Sequence, residues 1–69
     1  MDVATEISTT AAEERRFHPE IRLGQALFNA LYDLKPDLAN EIRGNSDIDP
    51  FYKDGNIPAF YEWLATKNL

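Results

Sequence analysis

A chain of 69 residues without cysteine suffices for one small domain, held by its apolar core with no disulfide to staple it. Its net charge of -5, with basic residues scattered and only Arg15 and Arg16 adjacent, disfavours direct nucleic-acid binding, which draws its affinity from clustered Lys and Arg. No run approaches the roughly 20 apolar residues of a membrane span, and Met1 to Thr10 lack the basic and apolar regions of a secretory signal, so a cytoplasmic protein with no membrane partner is expected.

Met1 to Arg16 is rich in Ala, Thr and Glu and has almost no large apolar side chain, so burial cannot offset the entropy of ordering it. Residues 1–16 are therefore expected as a mobile N-terminal tail, and residues 17–69 as a single helical domain. Thr10-Ala11-Ala12-Glu13 has the form of a capping box, which argues for local helix. A helix this short is nevertheless marginal in water on its own.

From Pro19 to Leu34 the pattern is helical. Leu23, Leu27, Leu31 and Leu34 form one stripe, and Ile21, Phe28 and Tyr32 a neighbouring one. Arg22, Gln25, Asn29 and Asp33 fill the remaining face of this expected central helix. Gly24 interrupts it at about 1 kcal/mol relative to alanine. A closely packed helix or aromatic ring would account for it, and so would a merely tolerated glycine.

Lys35-Pro36 breaks that helix, because a residue before proline is pushed out of the α region. A second helix is expected from Pro36 to Arg43, with Leu38 and Ile42 as its apolar pair and Gly44 as its stop. Gly44-Asn45-Ser46-Asp47 is turn composition, and Asp49-Pro50 can cap one helical or 3₁₀ turn carrying Phe51 and Tyr52. After a corner at Asp54-Gly55-Asn56, the last helix runs from Ile57 or Pro58 to Thr66. Ile57, Phe60, Tyr61 and Leu64 share its apolar face, with Trp63 beside them. Pro19, Pro36, Pro50 and Pro58 each stand where a helix can begin. The expected fold is all-α: a small bundle of three main helices plus a short helical turn, with a mobile N-terminal tail.

Chemistry-bearing patterns are sparse. Asn45-x-Asp47-x-Asp49 copies the opening spacing of a calcium loop, but Pro50 stands where that loop needs glycine and Asn56 where it needs glutamate. Turn making and capping explain the same side chains. His18 has no second histidine or cysteine near it in sequence. The carboxylate pairs Glu13 with Glu14 and Asp47 with Asp49 have little room for a pocket that would shift their pKa values. No catalytic residue, metal or cofactor is implied, and the chain is read as a non-enzyme.

The aromatic segments Phe51-Tyr52 and Phe60-Tyr61-x-Trp63 are the most function-like feature. Aromatic side chains dominate interface hot spots, and a short chain cannot easily enclose all of them. Phe51, Tyr52, Tyr61 and Trp63 are the expected partner-binding residues, with Tyr52 and Tyr61 the better candidates for exposure. The alternative is that Phe51, Phe60 and Trp63 form a lid over the central helix.

The runs Arg22-Leu23-Gly24-Gln25-Ala26-Leu27-Phe28-Asn29, Lys35-Pro36-Asp37-Leu38-Ala39, Ile42-Arg43-Gly44, Asp49-Pro50-Phe51-Tyr52 and Phe60-Tyr61-Glu62-Trp63-Leu64 resemble small helical proteins of phage and prophage genomes. The resemblance covers most of the chain after Arg16. It brings no assigned activity and no functional residue, and implies only a setting in which small acidic proteins bind and alter larger ones. The resulting expectation is a small acidic non-catalytic protein-binding module, accessory or regulatory, acting on a larger protein partner. Two alternatives stand beside it: an acidic nucleic-acid-mimicking inhibitor of a nucleic-acid-binding enzyme, and a self-associating structural subunit.

Overall fold

The computed structural model describes residues 2–67 and is all-α. Its elements are α1 (Val3–Phe17), α2 (Leu23–Leu34), α3 (Pro36–Ile42), a 3₁₀ turn (Asp54–Asn56) and α4 (Ile57–Ala65). Helix α2 is central, with α1 and α3 both packed against it. Ala26, Leu27, Ala30 and Leu31 of α2 are shielded from solvent together with Ala39 and Ile42 of α3 and Phe60 and Leu64 of α4. The ends of the leucine stripe behave differently. Leu23 and Leu34 keep 38% and 37% of their surface exposed, so only the middle of the stripe belongs to the core.

The segment expected as a mobile tail is instead the longest helix. Ile7 and Ala11 of α1 are fully buried, and Val3 and Ala4 pack on the same cluster. Val3, Ile7 and Ala11 recur every fourth residue and so share one helical face. Ala26 and Ala30 of α2 are buried in that cluster too, and short side chains at a contact let helix axes approach closely. One isoleucine then suffices to reach the core. A stripe of large side chains is the usual mark of a buried face, and here alanines stand in its place. The Thr10-to-Glu13 pattern falls in mid-helix, and the cap is Asp2, whose carboxylate accepts the Thr5 N–H at 2.8 Å. The Cα radius of gyration, 10.8 Å, matches the value of about 11 Å for a folded chain of this length. Met1, Asn68 and Leu69 lie outside the described residues.

Two prolines open helices and two do not. Pro36 is the first residue of α3 and Pro58 the second of α4, positions where the missing N–H costs little. Pro19 lies in the turn between α1 and α2, and Pro50 is buried in the connection from α3 to the 3₁₀ turn. Helix α2 accordingly starts four residues later than expected, after Arg22 in an extended conformation. The single turn expected at Phe51 and Tyr52 is present, closed by the Tyr52 N–H on the Asp49 carbonyl at 3.1 Å, and the corner expected at Asp54–Asn56 is a 3₁₀ turn. Among the described residues no helix is long and apolar enough to cross a membrane.

Truncating Ile7 separates a docked helix from a tail. Ile7→Ala, like Leu27→Ala or Leu31→Ala, is expected to cost about 2–5 kcal/mol in urea unfolding, and deleting residues 1–10 should destabilise the whole domain. A midpoint unchanged by Ile7→Ala would contradict the packing of α1. The helix cap gives a pH dependence as well. The Thr5 backbone N–H holds the Asp2 carboxyl below its ordinary value of 3.8. A carboxyl lowered by folding stabilises above its ordinary pKa and loses that contribution as pH falls through the lowered one. The first turn of α1 should therefore fray below about pH 4, read from the Thr5 amide resonance. The same titration in Asp2→Ala should be flat.

Candidate binding surface

The connection between α3 and α4 is built by its own polar side chains. Gly44 ends α3 with φ +78°, in the left-handed region that favours glycine. Asp49 is buried, and its two carboxylate oxygens accept the Gly44 and Phe51 N–H groups, each at 2.8 Å. Asn45 Oδ1 accepts the Asp47 N–H at 2.9 Å. The buried Asn56 amide donates to the Ser46 carbonyl at 2.9 Å and the Asp49 carbonyl at 3.0 Å. Asn45 and Asp49, two of the oxygens that copy a calcium loop, thus hold the loop's own backbone. Among the described residues no three acidic or histidine side chains converge as metal ligands. His18 and Glu20 form an exposed pair 3.5 Å apart at the surface.

This loop docks on the N-terminus of α2, and Gly24 makes the approach possible. A Cβ at Gly24 would fall well inside contact distance of the Pro50 carbonyl oxygen, and 2.7 Å from Asp54 Oδ1. The glycine faces loop backbone, neither the helix nor the ring that the sequence suggested. Asp54 Oδ1 accepts the Gly24 N–H at 3.1 Å and pairs with Arg22 Nη1 at 2.6 Å. A carboxylate at the start of a helix satisfies an orphan N–H and meets the positive end of the helix dipole. Arg22 also donates from Nη2 to the Phe51 carbonyl at 2.6 Å. Gln25 Oε1 accepts the Arg22 N–H at 2.9 Å, which closes the first turn from within.

The docked loop brings aromatic groups from distant parts of the chain together. Phe51 meets Phe28 edge to face, ring centroids 5.7 Å apart. The Arg43 guanidinium lies over two rings of α2, 5.8 Å from the Phe28 centroid and 5.3 Å from that of Tyr32. Phe28, Arg43, Asp49 and Phe51 line a cleft of about 260 Å³. That volume is below the roughly 300–1,000 Å³ of small-molecule sites and suits a single side chain of a docking segment. Phe51 and Tyr32 are each 44% exposed and Tyr52 is 60% exposed.

The four expected partner-binding residues fall into two groups. Phe51 lines the cleft, and Tyr52 follows it in the loop as an exposed side chain. Tyr61 and Trp63 lie on α4, each half-buried and each in ring contact with the buried Phe60. The Tyr61 hydroxyl is 2.6 Å from Ser8 Oγ, a hydrogen bond that ties α4 to α1. Lys67 Nζ sits 5.1 Å from the Trp63 ring and pairs with Glu41. Of the lid residues, only Phe60 is fully enclosed.

Arg43 and Tyr32 were not singled out as site residues by sequence. Arg43 read as a helix-end signal, and its stacking depends on α3 folding back along α2. No protein-family model, curated protein or solved structure matches this chain.

The loop contact can be tested at two positions. Gly24→Ala should destabilise by about 1–3 kcal/mol through overpacking, although alanine is the better helix former. Asp54→Ala should cost about 0.5–2 kcal/mol, as for a lost helix cap. A thermal melt raised by Gly24→Ala would overturn the close approach of Pro50.

Proposed function

We propose that the protein is a non-catalytic binding module, accessory or regulatory, that engages a larger protein through the face formed by Phe51, Tyr52, Tyr32 and Arg43. The observation that carries this reading is the exposure of Phe51, Tyr52 and Tyr32, with Phe51 lining a cleft and the Arg43 guanidinium over the Phe28 and Tyr32 rings. Aromatic residues and arginine are the types enriched in interface hot spots. Phe51 is held ready for contact, because its N–H is fixed by Asp49 and its carbonyl by Arg22. A preorganised anchor loses little freedom on binding. The net charge of -5 makes two copies repel, which favours a different protein over self-association. Of the two charged residues that line the cleft, Asp49 is buried and the exposed one is the cation Arg43, which argues against nucleic-acid mimicry there.

The test is capture of a partner from extract by the immobilised protein, followed by affinity measurement with the purified partner. Phe51→Ala and Tyr52→Ala should each weaken binding by more than about 1 kcal/mol, about fivefold, with helix content preserved. Duplex DNA should not displace the partner. Normal binding by both variants, or displacement by DNA, would remove this reading.

A further inference from the structure

We infer that the cleft between Phe28 and Phe51 recognises an acidic side chain next to an apolar one in the partner polypeptide, with Arg43 as the residue that binds the carboxylate. This rests on the binding-module reading above and adds the chemistry of the docking segment. Arg43 is exposed at the end of α3 and makes no ion pair or side-chain hydrogen bond with any described residue. Two other cations lie by this loop: Arg22 is already occupied by Asp54 and the Phe51 carbonyl, and the exposed Lys53 is not among the residues that line the cleft. Rings beneath a guanidinium hold its plane while leaving its edge N–H groups free. That edge matches a carboxylate in a two-pronged hydrogen bond.

Asp49 also lines the cleft, but it is 4% exposed and both its oxygens already accept backbone N–H groups. The charge offered to a ligand is therefore that of Arg43. The remaining walls are the Phe28 and Phe51 rings, which accept an apolar neighbour of the bound acid. The volume, about 260 Å³, suits one such side chain rather than a larger cofactor.

The probes are two blocked peptides, N-acetyl-Phe-Glu-Leu-amide and its Gln counterpart, titrated into the isotope-labelled full chain. The readouts are the Arg43 side-chain N–H and the ring protons of Phe28 and Phe51. The Glu peptide should shift all three saturably, and the Gln peptide should bind about fivefold or more weakly. Arg43→Gln should erase the difference between peptides, Arg43→Lys should retain part of it, and Phe51→Ala should weaken both peptides alike. Equal affinity for the two peptides overturns the carboxylate assignment and leaves the aromatic docking face standing. Inorganic phosphate shifting Arg43 as strongly as the Glu peptide does also overturns it, since the group would then be a general anion contact. No shift at the cleft from either peptide overturns it as well, while partner capture by Phe51→Ala and Tyr52→Ala judges the docking face separately.

Discussion

The place of Phe51 on the candidate surface depends on the seat of the α3–α4 loop against the start of α2. The first turn of a helix offers N–H groups without partners, and the loop supplies an acceptor in the Asp54 carboxylate. The Pro50 carbonyl can lie alongside because position 24 carries no side chain. Arg22 completes the arrangement by reaching both Asp54 and the Phe51 carbonyl. Phe51 is thus gripped on its N–H by the Asp49 side chain and on its carbonyl by that of Arg22. Its ring meets the edge of Phe28 as a result, and without the seat the cleft would lose a wall.

The fold class was legible because helical periodicity is a local signal. Leu27 and Leu31, Leu38 and Ile42, and Phe60 and Leu64 occur at helical spacing, and the structure places α2, α3 and α4 on those stretches. Helix α1 was missed because its buried face is made chiefly of Val3, Ala4, Ile7 and Ala11. The alanines have little area to bury alone, and Val3 and Ile7 by themselves make too sparse an apolar stripe to read as a core face. The start of α2 was misplaced because Pro19 was read as its first residue; the helix is instead capped at Arg22, whose N–H is accepted locally by Gln25 and whose guanidinium is held by Asp54 and the Phe51 carbonyl. Tyr52 was legible as an exposed aromatic, whereas Phe51, which could equally be read as part of a lid over the central helix, is 44% exposed because the loop holds it at the surface. The half-burial of Tyr61 was not, since its hydroxyl is satisfied by Ser8 on the helix read as a tail.

Polar groups organise this small protein as much as apolar ones do. Among the described residues no buried side-chain nitrogen or oxygen lacks a partner, although Asp49 and Asn56 are both enclosed. Unpaired, either would carry the full desolvation penalty of a buried polar group. Paired, they fix a loop that has no regular secondary structure to hold it. The irregular segment can then carry exposed rings in a defined place, which a loosely held loop of the same length could not do.

The Asp54 cap on α2 also bears on the order of folding. The bond from Gly24 to Asp54 joins residues 30 apart in sequence, so the helix cannot receive it until the chain has closed that loop. Loop closure is an entropic cost met before the bond can form. Before that closure the first turn of the central helix has only its local cap, Gln25 on the Arg22 N–H. An interaction that forms only after the barrier slows unfolding and leaves the folding rate nearly unchanged. A seat closed after the barrier acts as a latch on the finished molecule, governing lifetime more than speed of assembly. Folding kinetics slowed in proportion to the stability lost at Asp54 would place the latch in the nucleus instead.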